Sequence, residues 1–111
     1  MPEASATTIA VVGAGAIGGW IAARLALAGK GVALVARGES LRRIERQGIR
    51  LVEEDERHTI SLPVTDDPKQ LGETDILVLA VKATALADAA ETAAPLIGPR
   101  TVVVPMVNGV P

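Results

Sequence analysis

The sequence predicts an α/β protein built on a doubly wound, mostly parallel sheet with helices on both faces. Short apolar runs rich in β-branched residues alternate with Ala-rich or amphipathic segments along nearly all of the 111 residues. The first of these runs is apolar throughout, as a strand covered on both faces should be. A glycine-rich turn joins it to the first helical segment.

Taken in order, TIAVV (8–12) is the first strand and stops at Gly13. In AIGGWIAARLALA (16–28), Ile17, Ile21, Leu25 and Ala28 recur at three- and four-residue spacing before Gly29, which predicts a helix with those residues on one face. GVALVAR (31–37) is the second strand, completing a βαβ unit. ESLRRIERQG (39–48) is a helix with Leu41, Ile44 and Gln47 on one face. IRLVE (49–53) and HTISLPV (58–64) flank an acidic stretch and predict a hairpin, with alternation in Thr59-Ile60-Ser61-Leu62. An Asp before Pro68 predicts a short helix. ILVLAV (76–81) is another buried strand, TALADAAETAAPLI (84–97) an Ala-rich helix ending near Pro95 or Gly98, and TVVVPM (101–106) the last strand. Strand and helix alternating in this way require right-handed crossovers. No repeat or linker divides the chain, and one domain over 1–111 is expected.

Composition excludes several functions. The formal charge of -2 gives no large positive field for nucleic acid. Locally, Arg24, Lys30, Arg37, Arg42, Arg43, Arg46 and Arg50 fall close together, either as a solvated face laced with ion pairs or as a site for a small anion. With no cysteine there is no disulfide or thiolate chemistry, which fits a cytoplasmic protein. The uncharged stretch 4–23 holds four glycines and lacks a basic flank, so neither a membrane span nor a signal sequence is expected. His58 has no Cys or His partner and Glu53-Glu54-Asp55-Glu56 diverge along the chain, so no metal site is expected. Trp20, the sole aromatic residue, is assigned to packing or an interface.

Gly13-Ala14-Gly15-Ala16-Ile17-Gly18 matches G-x-G-x-x-G between a strand and a helix, the context that gives the pattern meaning and predicts a Rossmann-type fold. In such a turn the first glycine permits the bend, the second lets a pyrophosphate approach the backbone, and the third lets the helix pack closely on the strand. The helix N-terminus then faces the phosphates with unpaired N–H groups and a positive dipole end. About 20 residues on, where an acid would take the ribose hydroxyls of NAD, stands Arg37, followed by Gly38. A guanidinium there would attract the 2′-phosphate of NADP, so NADP(H) is the expected cofactor. Alternatively, Arg37 pairs with Glu39 at the surface; Arg42 or Arg43, one helical turn on, offers a second cation.

VVGAGAIGGWIAARLALAGKGVALVARGE (11–39), DILVLAVKA (75–83) and VNGV (107–110) together resemble the N-terminal domain of ketopantoate reductases (2-dehydropantoate 2-reductases). The resemblance implies NADPH-dependent reduction of a 2-keto acid, usually ketopantoate, to the 2-hydroxy acid in pantothenate biosynthesis. Carried over by motif, Gly13, Ala14, Gly15, Ala16, Ile17 and Gly18 hold the pyrophosphate and Arg37 reads the 2′-phosphate. Lys82 lies beside the cofactor, and Asn108 faces nicotinamide and substrate. Val107 stands where many members have a polar residue, which leaves the particular keto acid open. The family's general acid is a lysine of a second, helical domain, so no catalytic residue is expected within this chain. The expectation is a cofactor-binding fragment, inactive alone, that self-associates as a homo-oligomer through the apolar face the second domain would cover. The competing function is a stand-alone dinucleotide-sensing module; such modules usually carry an acid at the position of Arg37.

Overall fold

The computed structural model of the chain describes residues 7–13 and 15–106. Along the chain run β1 (Thr8–Val12), α1 (Ala16–Leu27), β2 (Gly31–Val35), α2 (Gly38–Gln47), β3 (Ile49–Glu53), β4 (Glu56–Ile60), β5 (Val64–Thr65), β6 (Ile76–Leu79), α3 (Leu86–Thr92) and β7 (Val102–Pro105). Five strands form one parallel sheet in the order β5-β2-β1-β6-β7, while β3 and β4 pair separately as an antiparallel hairpin. The chain therefore moves outward from β1 through β2 to β5, then returns to build β6 and β7 on the other side of β1. In doubly wound sheets that reversal opens a crevice beyond the carboxyl ends of the strands, where ligands bind.

Alternate side chains of each central strand feed opposite cores. Ile9 and Val11 of β1 join Val32, Leu34 and Val78 under α1 and α2, with Ala22 and Ile44 packed on them. Ala10 and Val12 join Val35, Leu77 and Leu79 under α3, with Ala89, Ala93 and Leu96. Burial on both faces is why these strands read as unbroken apolar runs. The core is aliphatic, and Leu34, Leu77, Leu96 and Val11 are its largest fully buried side chains.

Helix α1 keeps only part of the expected face: Ile21 and Leu25 pack against the core, while Ile17 and Ala28 are exposed. Its buried residues are Gly18, Gly19, Ala22 and Ala23, whereas Ile17 is 47% exposed and Leu27 lies outside as well. Small residues face the sheet because the helix approaches too closely for larger ones: a Cβ on Gly18 would run into the Gly13 carbonyl oxygen. Periodicity identified the helix and two residues of its packed side, Ile21 and Leu25, but not the small residues that lie closest to the sheet.

Two other segments are divided where continuous elements were predicted. HTISLPV splits, with His58–Ile60 in β4 and Val64–Thr65 in β5, which pairs in parallel with β2. Pro63 cannot donate to a ladder, so the chain changes sheets there instead of extending the hairpin. Residues 84–97 form a 3-10 turn (Ala83–Ala85), α3, and a second 3-10 turn (Ala94–Leu96) around Pro95, which lacks the N–H that a continuing helix needs. The helix expected before Asp75 is likewise one 3-10 turn, Pro68–Gln70, capped by the Asp67 carboxylate accepting from the Lys69 N–H at 3.2 Å.

The acidic stretch makes the tight turn between β3 and β4, with Glu54 in the left-handed region at φ 49°. Glu53 pairs with Arg24 of α1 and Glu56 with His58, fastening the hairpin to the helix and to itself. Among the described residues no cluster of acids, histidines or cysteines could hold a metal ion.

Candidate functional site

The sheet register aligns Thr65, Val35, Val12, Leu79 and Pro105 in one row across the carboxyl ends of the strands. One step beyond that row the chain presents Asp66, Ala36-Arg37, Gly13, Ala80-Val81-Lys82 and Met106. Segments far apart in sequence thus converge on one rim.

At the centre of the rim is the glycine turn. Gly13 has φ 115°, a conformation that L side chains rarely adopt, and its N–H donates to the Val35 carbonyl, tying the bend to β2. A Cβ at Gly13 would strike the Ala80 carbonyl oxygen. Gly13 and Gly18 are therefore required by the protein's own packing. Gly15 differs: it has ordinary extended dihedrals, φ -68° and ψ -175°, and a Cβ there would meet nothing within 4 Å. It stands at the N-cap of α1, where no side chain caps the helix and no acid lies in the first turn. Three N–H groups of that turn, a positive helix end and an open cradle adjoin one another, an arrangement suited to a phosphate group. Ala16 and Ile17 are exposed beside it. Ala14 lies outside the described residues.

A cavity of about 390 Å³ runs from Gly13 and Gly15 past the ends of β1 and β2 to Arg37 and Ser40. Arg37 is exposed at the N-cap of α2, in extended conformation. Gly38 turns the chain into the helix at φ 63°, so its glycine serves the backbone as well as the neighbouring guanidinium. The surface alternative for Arg37 does not hold: Glu39 pairs with Arg42 at 2.8 Å, and no ion pair among the described residues uses Arg37. Of the two candidates for a second cation, Arg42 pairs with Glu39 and Arg43 lines a different cavity.

That second cavity, about 570 Å³, lies on the other side of Gly15 between α1, the end of α2 and β3. Trp20 lines it with half its surface exposed, its ring 5.9 Å from the Arg24 guanidinium. Although larger, it sits beside the hairpin rather than over the strand ends. The crevice at the chain reversal is the better candidate on topology.

Lys82 is exposed beyond β6 and precedes the 3-10 turn, its carbonyl accepting from the Ala85 N–H at 2.9 Å. Since β2 and β6 flank β1, Arg37 and Lys82 stand on opposite sides of the glycine turn. Asn108 lies outside the described residues; the last described contact before it is the Met106 N–H donating to the Leu79 carbonyl. Sequence reasoning overlooked Ser40, Asp66 and Asp88, which line the Arg37 cavity. Asp66 follows the two-residue strand that had been folded into the hairpin, and recognising Pro63 as a strand breaker would have exposed it.

A family model described as "Ketopantoate reductase PanE/ApbA" matches residues 9–111. A curated 2-dehydropantoate 2-reductase from Mesorhizobium japonicum is 45% identical over 104 residues, covering 93% of this chain and 32% of that protein. Among solved structures, a candidate ketopantoate reductase from Ralstonia solanacearum MolK2 is similar at TM-score 0.89 and 50% identity, over 96% of this chain and 33% of that one. A D-mandelate dehydrogenase, solved with NADH and anilino(oxo)acetate, is similar at TM-score 0.82 and 26% identity, over 94% of this chain and 34% of that one. The chain thus spans about a third of the length of these relatives.

Proposed function

The chain belongs to the ketopantoate reductase family, and we propose that residues 1–111 are an NADPH-binding domain serving reduction of ketopantoate, or a related 2-keto acid, to the 2-hydroxy acid. The observation that carries this is Gly15, a glycine that neither backbone strain nor packing demands, placed where a helix N-terminus opens into a cavity that reaches Arg37. Space kept empty by a missing side chain is explained by a ligand that approaches the backbone.

In this reading the turn from Gly13 to Gly18, Ala14, Ala16 and Ile17 included, holds the pyrophosphate. Arg37 takes the 2′-phosphate in bidentate fashion. Lys82 and Asn108 lie toward the nicotinamide and the substrate. When bound, the cofactor supplies the hydride for the ketone carbon; the protein's part is to align the two and exclude competing reactions. We assign the proton donor outside residues 1–111. We infer a place in pantothenate biosynthesis, which the family match supports, and assign the protein to the cytoplasm. Among the described residues no helix is long and apolar enough to cross a membrane.

This chain is expected to bind NADPH without measurable turnover. A coupled assay following NADPH oxidation at saturating ketopantoate checks it, and robust turnover would move the acid to Lys82, to be tested as Lys82→Ala. The edge strand β7 and the residue after it expose Val102, Val103 and Met106, 58%, 39% and 44% accessible, so the chain is also expected to self-associate, with this apolar edge as part of the face that the second domain would cover. Light scattering across a concentration series reads this directly, and a monomer throughout would refute it.

One observation favours a second reading. The D-mandelate dehydrogenase relative was solved with NADH and a substituted oxoacetate, so NADH with another 2-keto acid is the alternative. Titration with both reduced cofactors separates the two readings.

A further inference from the structure

We propose that Asp66 selects the adenine base of the bound dinucleotide by accepting a hydrogen bond from its exocyclic amine, an inference that rests on the dinucleotide reading above. The cavity beside Arg37 holds one cation and two carboxylates, those of Asp66 and Asp88, among apolar walls such as Val35 and Val81. One positive and two negative charges make a poor vessel for phosphate alone. Ionised carboxylates only accept hydrogen bonds, so a ligand that fills this space must bring donors to them. The phosphates of a dinucleotide bring acceptors; its donors at this end are ribose hydroxyls and the amine of the base.

Position and occupation single out Asp66. The Asp67 carboxylate is engaged in capping the turn at Pro68–Gln70. Asp88 stands in the first turn of α3, where a negative charge complements the helix end. Asp66 is exposed, and among the described residues its side chain makes no hydrogen bond or ion pair. Thr65 lies opposite Val35, and the Ala36 N–H donates to the Thr65 carbonyl at 3.0 Å. Asp66 therefore stands level with Ala36, just beyond the end of the strand next to the one that leads into Arg37. With the 2′-phosphate on Arg37, the base on the same ribose falls between the apolar walls and turns an edge toward Asp66. Adenine presents an amine there. Hypoxanthine presents a carbonyl oxygen, acceptor against acceptor.

The test is calorimetric titration of the parent chain, Asp66→Ala, Asp66→Asn and Asp88→Ala with NADPH and with its hypoxanthine analogue. The parent should prefer NADPH by about tenfold or more, the size expected for a hydrogen bond to a charged group. Asp66→Ala should narrow that ratio to about twofold by weakening NADPH. Asp66→Asn, whose amide can turn either its oxygen or its nitrogen to the ring, should accept both ligands. A parent that binds both equally overturns the proposal, as does a preference that survives both Asp66 substitutions or vanishes only in Asp88→Ala. Equal weakening of both ligands by Asp66→Ala would mean a bond to ribose, and also overturns it. If the parent binds neither ligand, the dinucleotide reading itself fails and takes this inference with it; binding without base preference removes only the role of Asp66. Thermal melts of the variants confirm that each is folded.

Discussion

Two parts of one turn, from Gly13 to Gly18, show how differently the same residue type can be used. Gly13 and Gly18 form its floor: one adopts a positive φ against the Ala80 carbonyl, the other lets α1 approach the Gly13 carbonyl. Gly15 forms its lip, unstrained and facing open space that leads to Arg37. The floor is there for the fold. What the lip leaves open is used by nothing within 4 Å of it, and under the proposed function that contrast would separate residues the chain needs to fold from residues it needs to bind.

The largest effect that would test this contrast is expected on the floor. Gly18→Val drives a branched side chain into backbone that cannot yield and should cost about 3 kcal/mol or more, the upper range for overpacking. A melting temperature lowered by more than about 10 °C is the expected reading for a chain of this size. An unchanged melt would show that α1 can withdraw from the sheet. At the lip the pattern should reverse. Gly15→Val places an extended residue where valine is comfortable, so stability should stay within about 0.5 kcal/mol, while the change in NADPH fluorescence on binding is lost. Retention of that signal would remove Gly15 from dinucleotide binding.

A smaller effect sharpens the comparison at the far end of the cavity. Arg37→Ala should weaken NADPH by about 1.5–3 kcal/mol, the size of a charge-assisted contact, and leave NADH nearly unaffected. Side-by-side calorimetry of the two cofactors decides it. Equal affinity of the parent chain for both would remove Arg37 from phosphate recognition and favour the NADH reading raised by the mandelate dehydrogenase relative.

The hairpin and the cofactor rim also differ in how far they could be read in advance. In the hairpin, contacts are between near neighbours: β3 and β4 join through a two-residue turn, and Glu56 reaches His58. Its existence was legible, but its end was not, because Ser61-Leu62 continues the alternation while Pro63 and the edge of β2 divert the chain into the main sheet. On the rim, Gly13, Gly15, Gly18 and Arg37 were legible because their spacing reflects a local geometry, strand to turn to helix and strand to helix. Asp66 and Asp88 reach the same cavity from two other segments, and no spacing along the chain announces them.

By itself the sequence determined the doubly wound class, the place of the glycine turn, the cation at the end of β2 and the family resemblance, since each depends on backbone preferences or on neighbours a few residues apart. Tertiary structure alone decided that the small residues of α1 lie closest to the sheet, that β5 joins β2, and which acids share a cavity with Arg37. Helical periodicity marks an amphipathic stripe by hydrophobicity, whereas α1 packs on the sheet through glycine and alanine because contact distance, not side-chain polarity, limits its approach. Charges meet across the rim for a related reason: parallel pairing aligns strand ends as distant along the chain as Val12 and Pro105, and that alignment exists only once the sheet has formed.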